Sequence, residues 1–292
     1  MKFSHYTELQ RFVEKNLFPS EYKDMYEIYT GGSSYNFCVI TTKGKYFLKL
    51  LEDKGAFYKI KEFCRLYGVL YESKSEDFRE YKFLLTQFID GHKIHYRDCT
   101  EAVIECLWHN YQKILNCKPD STFIYSMIDI NVLFTEAETA LKETKKNVFS
   151  ILYAKIMALL KRELVYFPET HNLIHGDLMA NNILLAADRS LHIIDGEMLR
   201  YVHISEDMAS LLLELSGFLG IWGNMSRFKR LFSSINKYAL LSSKEWLYGI
   251  QIVYLTLIKR RLNNPDKQSF RKRLCLFLIM LQYFRIRNFI NR

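Results

Sequence analysis

The order of apolar and polar residues gives the first part of the chain a strand-rich character. Tyr35–Thr41 and Lys45–Leu51 are short apolar runs separated by a turn that contains Gly44, which is typical of a β-hairpin. Tyr58–Leu66 has the pattern of a short helix, and Tyr81–Ile89 has the pattern of a further strand. Together these segments predict a small twisted sheet that carries one helix.

Beyond residue 90 the pattern changes to the three- and four-residue spacing of amphipathic helices. Thr135 and Glu138 have the spacing of a capping box before a long helix, and Ser205 is placed to cap a later one. We therefore predict an α+β chain of two lobes. The β-rich N-lobe spans residues 1–89, and the mainly helical C-lobe spans residues 90–292.

Composition narrows the class of protein only modestly. The 292 residues are 49% hydrophobic, which is enough to bury the cores of two lobes and argues against disorder. A net charge of +9 favours anionic ligands or surfaces, although a lysine-rich helical protein is often basic without using its charge. The six cysteines form no C-x-x-C pair or zinc spacing, which favours a reducing, cytoplasmic location.

Further sequence features bear on membranes and nucleic acid. We expect no signal peptide, because the N-terminal residues contain no apolar core segment. The two most apolar stretches, 208–225 and 274–284, are predicted to be buried core helices rather than membrane spans. Nothing beyond net charge points to nucleic-acid binding, so we expect no nucleic-acid partner.

The segment from Leu173 to Glu197 carries the strongest chemical signal. Asp177 is followed five positions later by Asn182, and Asp195 ends an apolar run thirteen positions beyond that. Phosphoryl transfer needs held phosphates, a metal that neutralises charge and a hydroxyl placed in line. We predict that Asp177 orients the attacking hydroxyl, while Asn182 and Asp195 supply the hard oxygen ligands that Mg²⁺ prefers. Alternatively the three residues only stabilise a turn and a strand end, but kinase spacing between apolar runs makes that interpretation the weaker one.

A lysine in an apolar strand supports the same interpretation. Lys49 lies inside Tyr46–Leu51, where its ammonium group must either reach solvent or find a partner. We predict that it contacts the α- and β-phosphates and is held by a glutamate of the following helix. Glu62 is the best candidate for that glutamate and Glu52 a weaker one, although Glu62 could equally be a solvated helix charge.

Two further segments are assigned to nucleotide binding. A flexible turn precedes the Lys49 hairpin, where glycines let the backbone approach phosphates and serine hydroxyls can donate to them. The residues of this turn are Gly31, Gly32, Ser33 and Ser34. The hinge is predicted at Gln87 and Ile89, whose backbone groups would pair with an adenine edge, and that assignment rests on position alone.

These motifs resemble those of the aminoglycoside phosphotransferase and choline kinase superfamily, which has a protein-kinase-like fold. The resemblance rests on His175-Gly176-Asp177-Leu178 with Asn182, on Asp195, on Lys49, and on Asp207 with Ala209 at a helix start, and it spans nearly the whole chain. It implies a catalytic Asp177, magnesium ligands Asn182 and Asp195, and a phosphate contact from Lys49. ATP is the implied donor, with GTP as an alternative in this superfamily.

The chain also departs from that pattern. The superfamily usually has His-Pro-x after His-Gly-Asp-Leu, whereas this chain has Met179-Ala180-Asn181. Gly196 replaces the aromatic residue that often follows the metal-binding aspartate, and Glu197 then resembles the Asp-x-Glu of choline-kinase-like branches. The metal ligands are kept, but the subfamily stays open. The His-x-Asp-Leu pattern is also similar to that of lipopolysaccharide-core sugar kinases.

Three functions follow from these observations. The first is phosphorylation of a small-molecule hydroxyl on an amino alcohol, sugar or aminoglycoside. The second is a kinase for a sugar of a cell-envelope glycolipid, with its basic C-terminal region in peripheral contact with an anionic membrane. That region contains Lys259, Arg260, Arg261, Arg271, Lys272, Arg273, Arg285, Arg287 and Arg292. The third is a non-catalytic, spore-coat-like member of the superfamily, which the intact site residues disfavour.

Overall fold

The computed structural model describes residues 3–28, 34–71, 77–117, 130–143, 148–163, 172–262 and 270–291. Packing divides the chain into two compact units. The first unit comprises Met1–His92 and Leu185–Leu199, and the second comprises Lys93–Leu184 and Arg200–Arg292. The first unit therefore includes a segment that contains Asp195, although the sequence placed that segment in the C-lobe.

Helices and strands follow one another in an order that is β-rich at first and then helical. The elements are α1 (Tyr6–Phe12), β1 (Tyr22–Ile28), β2 (Tyr35–Thr41), β3 (Lys45–Leu51), α2 (Lys54–Leu66), β4 (Leu70–Tyr71), β5 (Asp77–Phe78), β6 (Tyr81–Gln87), β7 (Gly91–Lys93), α3 (Glu101–Leu115), α4 (Ile130–Glu143), α5 (Val148–Glu163), β8 (Asn172–Ile174), β9 (Ile183–Ala186), β10 (Leu191–Ile193), β11 (Arg200–Val202), α6 (Ser205–Leu215), α7 (Met225–Ala239), α8 (Ser243–Leu262) and α9 (Phe270–Ile290). Short 3₁₀ or π turns cover Val13–Leu17, Tyr96–Asp98, Ala180–Asn182 and Gly196–Met198.

The first unit is built on an antiparallel sheet with strand order β1-β2-β3-β6-β4, and β5 also pairs with β6. The predicted hairpin is β2 and β3, joined at Gly44 as expected. Lys49 lies on β3 in the middle of the sheet, opposite Asn36 of β2 and Leu84 of β6. Hydrogen bonds to the strands on both sides fix the backbone of a central strand. The point from which the Lys49 side chain extends is therefore fixed as well.

One face of this sheet is covered by α1 and the turn after it. The buried cluster includes Leu9 and Val13 from this N-terminal segment and Phe37, Leu48 and Phe83 from the sheet. The sequence pattern did not indicate α1, because only Leu9 of its seven residues is buried and no amphipathic repeat develops. The predicted strand over 81–89 ends earlier than expected, at Gln87.

In the second unit, α6 is buried along nearly its whole length and packs against α8. Gly249 of α8 makes this approach feasible, because a Cβ atom there would lie 2.1 Å from the carbonyl oxygen of Ser205. The 208–225 stretch thus begins in a core helix, as predicted. Within the described ranges, no helix combines the length and the apolarity that a bilayer crossing requires.

Two predicted helix caps are wrong. Thr135 is the sixth residue of α4, and its carbonyl oxygen accepts from the Thr139 hydroxyl 2.8 Å away, so it lies inside a helix. Ile204 occupies the cap position of α6, and Ser205 is the first helical residue. The Ser205 hydroxyl lies 2.8 Å from Nδ1 of His203 instead of accepting from the helix. Spacing alone could not reveal these competing partners.

Candidate active site

The predicted site residues fall into two groups, one in each unit. In the second unit, the loop after β8 carries His175, Gly176 and Asp177. Gly176 has a φ of 79°, a left-handed conformation that favours glycine. β8 pairs with β11, which leads into α6, so the start of α6 lies beside this loop.

A buried carboxylate at the start of α6 holds the loop by its backbone. Asp207 Oδ2 accepts from the backbone N–H of His175 at 2.7 Å, and Oδ1 accepts from that of Gly176 at 3.0 Å. The Tyr111 hydroxyl of α3 donates to Oδ2 at 2.8 Å. Asp207 is 0% exposed. The sequence indicated this residue only through the resemblance, and its position shows that it anchors the predicted catalytic loop.

The surroundings of Asp207 offset its burial only in part. Burial raises the pKa of this carboxyl, and the electrostatic effects of His175 and Arg200 and the hydrogen bonds from Tyr111 and the backbone counteract part of that shift. Arg200 itself forms a buried ion pair with Glu206.

Asp177 and Asn182 meet as their spacing predicted. Asn182 Nδ2 donates to the backbone carbonyl of Asp177 at 2.8 Å and to its Oδ2 at 3.0 Å. The 3₁₀ turn Ala180–Asn182 produces this contact by bringing the chain back on itself within five residues. Because Nδ2 of Asn182 donates to Asp177, the amide oxygen Oδ1 is directed away from Asp177. An amide oxygen is a hard ligand suited to Mg²⁺.

The departure from the superfamily pattern at Met179-Ala180-Asn181 allows a hydrogen bond to Glu214 of α6. The backbone N–H of Ala180 donates to Glu214 Oε2, and a proline in that position would have no N–H to donate. Burial and the negative charge of Asp177 raise the pKa of Glu214, whereas the Ala180 hydrogen bond and Lys93 lower it. Sequence reasoning missed Glu214, because no motif marks it.

In the first unit, Lys49 meets two carboxylates of the segment that follows β10. Its Nζ lies 2.8 Å from Asp195 Oδ1 and 2.5 Å from Glu197 Oε1. Lys49 is only 7% exposed. Burial disfavours its charged form, but Asp195 and Glu197 outweigh burial and raise the pKa of the ammonium group. Asp195 has a φ of 67°, a left-handed conformation that is uncommon for a residue with a Cβ and recurs at functional sites.

The predicted partner of Lys49, Glu62, has another contact in this structure. Its Oε2 accepts from Arg65 Nη1 at 2.7 Å, three residues further along α2. The carboxylates on Lys49 are those of Asp195 and Glu197. The pairing of Lys49 with Glu62 stays a prediction, for a state in which Lys49 has exchanged these partners.

Gly196, the second departure from the superfamily pattern, is explained by Phe63 of α2. A Cβ atom at position 196 would lie 2.4 Å from Cγ and 2.5 Å from Cβ of Phe63, closer than any real contact. Phe63 is itself buried. Phe63 therefore leaves no room for a side chain at position 196, which excludes an aromatic residue directly after Asp195.

The remaining nucleotide-site predictions are only partly covered by the structure. Gly31, Gly32 and Ser33 lie outside the described residues, and Ser34 is the half-buried residue just before β2. At the predicted hinge, the N–H of Gln87 donates to Val69 O at 3.2 Å and that of Phe88 donates to Lys45 O at 3.2 Å. Ile89 follows, half-buried, in a loop. Adenine pairing at Gln87 and Ile89 stays a prediction.

The basic C-terminal region is also covered in part. Lys259 Nζ lies 2.5 Å from Glu136 Oε2, and the Arg285 guanidinium lies 5.8 Å from the centre of the Phe218 ring. The side chains of six members lie outside the described residues, namely Arg260, Arg261, Arg271, Lys272, Arg273 and Arg292. Membrane contact through this region stays a prediction.

No protein-family model and no curated protein sequence matches the chain. Solved structures do match it. The apo form of a thermostable mutant of aminoglycoside phosphotransferase APH(4)-Ia is 13% identical, with a TM-score of 0.65 over 95% of this chain and 98% of its own. An ethanolamine kinase of Plasmodium vivax is 16% identical, with a TM-score of 0.61 over 96% and 88%. Spectinomycin phosphotransferase APH(9)-Ia is 12% identical, with a TM-score of 0.65 over 96% and 93%.

At these identities the likeness is one of fold. It confirms the predicted α+β, protein-kinase-like fold and, at the level of fold, the resemblance to the aminoglycoside phosphotransferase and choline kinase superfamily. What the chain does must then be argued from its own residues, because one fold supports many functions.

Proposed function

We propose that the protein is a magnesium-dependent phosphotransferase that moves the γ-phosphoryl group of ATP, or of GTP as the alternative donor, to a hydroxyl group of a small molecule. The observation that carries the proposal is the contact between Lys49 and Asp195, 2.8 Å apart in space and 146 positions apart in sequence. Both were singled out from sequence for phosphate and metal binding. A buried lysine on a central strand that meets this aspartate is the arrangement expected of a nucleotide-phosphate site.

The chain supplies the groups that the reaction needs. Asp177 accepts a hydrogen bond from the acceptor hydroxyl and aims its oxygen, and Asn182 fixes the Asp177 side chain through Nδ2. Lys49 donates to the phosphates of the nucleotide. The oxygen donors Asn182 Oδ1 and Asp195 fit a hard cation and would hold Mg²⁺, which when bound neutralises the phosphate charge. Positioning and charge neutralisation account for most of the rate enhancement in phosphoryl transfer.

Structures with the same fold bear on the ligands. APH(4)-Ia has been solved as a ternary complex with ADP and hygromycin B, and APH(9)-Ia has been solved with ADP and spectinomycin. These complexes support a nucleotide donor and a small-molecule acceptor, of which amino alcohols, sugars and aminoglycosides are the first classes to screen. We place the reaction in the cytoplasm, where ATP and Mg²⁺ are supplied. The retention of Asp177, Asn182, Asp195 and Lys49 favours a catalyst over a spore-coat-like structural protein.

Binding and transfer can be tested separately. Addition of the ATP analogue AMP-PNP with Mg²⁺ should raise the melting temperature of the wild-type protein. A panel of hydroxyl acceptors with labelled ATP should then reveal transfer, and Asp177→Ala should abolish it while nucleotide binding stays largely intact. Asp188→Ala is the control, because Asp188 is an exposed aspartate on the β9–β10 turn. Full activity of Asp177→Ala, or no shift with AMP-PNP, would contradict the proposal.

A further inference from the structure

Two arginines of α7 converge on one aromatic ring. The guanidinium carbon of Arg227 lies 4.6 Å from the centre of the Tyr96 ring, and that of Arg230 lies 4.8 Å from it. Both arginines are exposed, and Tyr96 is half-buried. Asn224 caps the helix through its Oδ1, which accepts from the Arg227 N–H at 2.9 Å. The cap and the ring therefore hold two positive charges side by side at the surface.

This arrangement works against helix stability. The N-terminus of a helix favours negative side chains, yet the first turn of α7 contains Arg227 and no acidic residue. Like charges three positions apart on a helix also repel each other. In the part of the chain that the structure describes, neither guanidinium forms an ion pair with a carboxylate. The nearby Asp98 accepts from the backbone N–H of His95 at 2.8 Å. An anionic ligand would relieve the repulsion.

One short segment, residues 93–96, contacts both the predicted catalytic loop and the arginine pair. The N–H of Ile94 donates to the carbonyl of Ile183 at 3.0 Å, directly after Asn182. Lys93 Nζ lies 3.3 Å from Asn181 Oδ1 on the same loop. Tyr96 is only two residues beyond Ile94, so their Cα atoms are at most about 7 Å apart. Residues 93–96 thus link the two features, since Lys93 and Ile94 contact the chain around Asn182 and Tyr96 contacts both arginines.

We propose that the acceptor carries a phosphate-type anionic group, which Arg227 and Arg230 bind against the Tyr96 ring. This inference rests on the proposed phosphotransferase function and narrows its substrate class to phosphorylated sugars. Guanidinium groups match phosphate because their planar fork donates two parallel hydrogen bonds, and they stack on aromatic rings. The phosphate could belong to a soluble sugar phosphate or to the phosphorylated sugar of a glycolipid, since the group presented to the arginines is the same.

Binding should be measured with the nucleotide site already filled by AMP-PNP and Mg²⁺. Calorimetric titration would compare hexose phosphates with the same unphosphorylated hexoses. The double variant Arg227→Gln/Arg230→Gln should weaken binding of the phosphorylated member at least about tenfold. The charge-matched control is Lys229→Gln/Lys244→Gln, which removes two exposed lysines, one of them between the arginines, and should leave binding unchanged. Melting temperatures of both variants verify that they fold.

A second arm distinguishes the source of the phosphate. Co-sedimentation would compare vesicles that carry a phosphorylated disaccharide lipid with vesicles that carry its dephosphorylated form and with phosphatidylglycerol vesicles of equal charge. A preference for the phosphorylated disaccharide lipid that the arginine variant loses supports a glycolipid acceptor, and a response only to hexose phosphates supports a soluble one. Equal binding to phosphatidylglycerol vesicles would instead indicate general membrane attraction and rule out the glycolipid source, so that the hexose-phosphate titration alone decides the proposal.

The inference and the proposed function can fail independently. If phosphorylated sugars bind through the arginine pair but no labelled phosphate is ever transferred, the binding site stands and the enzymatic proposal falls. If transfer occurs to sugars without regard to their phosphate, the enzyme stands and the inference falls. The inference is also overturned if no phosphorylated sugar or lipid binds better than its unphosphorylated partner, or if the arginine variant binds as well as the lysine control.

Discussion

Asp207 in the second unit and Asp195 in the first both accept hydrogen bonds from residues of the candidate site, but the two side chains differ in how deeply they are buried. Asp207 is 0% exposed and accepts from the backbone of His175 and Gly176. Asp195 has a side chain that is 40% exposed, and it accepts from the side chain of Lys49. The first contact fixes a loop of the main chain, whereas the second fixes only the end of a flexible side chain.

The difference indicates which parts of the site are permanent. Loss of Asp207 would leave backbone donors without an acceptor in the protein interior, so we expect its hydrogen bonds to stay in place. Asp195, whose side chain is 40% exposed, can instead gain water or a ligand without becoming a buried unpaired group. Under the proposed function, the Asp177 loop would supply a fixed aim, and the contacts of Asp195 would be the ones that exchange.

The largest effect on stability should come from Asp207→Ala. Two backbone N–H groups and the Tyr111 hydroxyl would lose their acceptor, and each buried unsatisfied group costs about 1–3 kcal/mol. We expect the free energy of unfolding to fall by about 3–5 kcal/mol, measured by urea denaturation. The exposed Asp90→Ala, which removes only a surface ion pair with Lys45 at 3.7 Å, should change it by less than about 0.5 kcal/mol. A loss for Asp207→Ala no larger than that of the control would refute the role of anchor.

The next largest effect should come from Gly196→Ala, which tests the segment that carries Asp195. The added methyl group would overlap the Phe63 ring, and overpacking of this kind costs about 1–3 kcal/mol. Gly220→Ala is the control, because a Cβ atom there would meet its nearest neighbour at an ordinary 3.6 Å. If the overlap is the cause, Phe63→Leu in the same chain should recover part of the loss. Strictly additive losses would mean that the two residues are not coupled.

Much of the first unit was accessible from the sequence because its signals are local. The β2–β3 hairpin follows from two apolar runs and Gly44, and the positions of Lys49 inside β3 and of Asp195 after β10 follow from a charged residue in or after an apolar strand. The Asp177–Asn182 contact was also accessible, because five residues of one turning loop bring it about. Such contacts depend on few degrees of freedom, so spacing is enough to predict them.

The contacts that could not be predicted are those made between distant segments. Glu214 meets Ala180 and Phe63 meets Gly196 only because whole helices pack in a particular register. Glutamate on a helix and phenylalanine in a core are common, so neither carries a signal of its own. The false cap at Ser205 has a local cause instead, since its hydroxyl lies 2.8 Å from Nδ1 of His203, only two residues earlier.

A smaller effect on stability is expected from Lys49→Met. Asp195 and Glu197 would lose their cation, but both are exposed enough to be hydrated, so we expect a loss of about 1 kcal/mol or less. The dissociation constant for AMP-PNP should rise at least about tenfold, because a charge-assisted contact to phosphate is removed. Lys45→Met removes an exposed lysine from the same strand and serves as the control. A loss of stability comparable to that of Asp207→Ala would erase the contrast between the two aspartates.

The smallest effect should be a pH dependence at Glu214, which borders the rigid loop. Because the pKa of Glu214 is raised above its ordinary 4.5, the folded chain keeps a proton that the unfolded chain has already released. The free energy of unfolding of the wild type should therefore fall, relative to Glu214→Gln, as pH rises from 4.5 through the raised pKa. The glutamine oxygen can still accept from Ala180, so the variant isolates the charge.

Melting temperatures of both proteins, measured from pH 4 to pH 7, would give that difference. A wild type that gains stability relative to Glu214→Gln over this range would show a lowered pKa of Glu214 and contradict the effect of burial on this carboxyl. A relative loss of a few tenths of a kcal/mol would instead place Glu214 with the buried anchors. In that case the loop that carries Asp177 is held at two points, by Asp207 before the aspartate and by Glu214 after it.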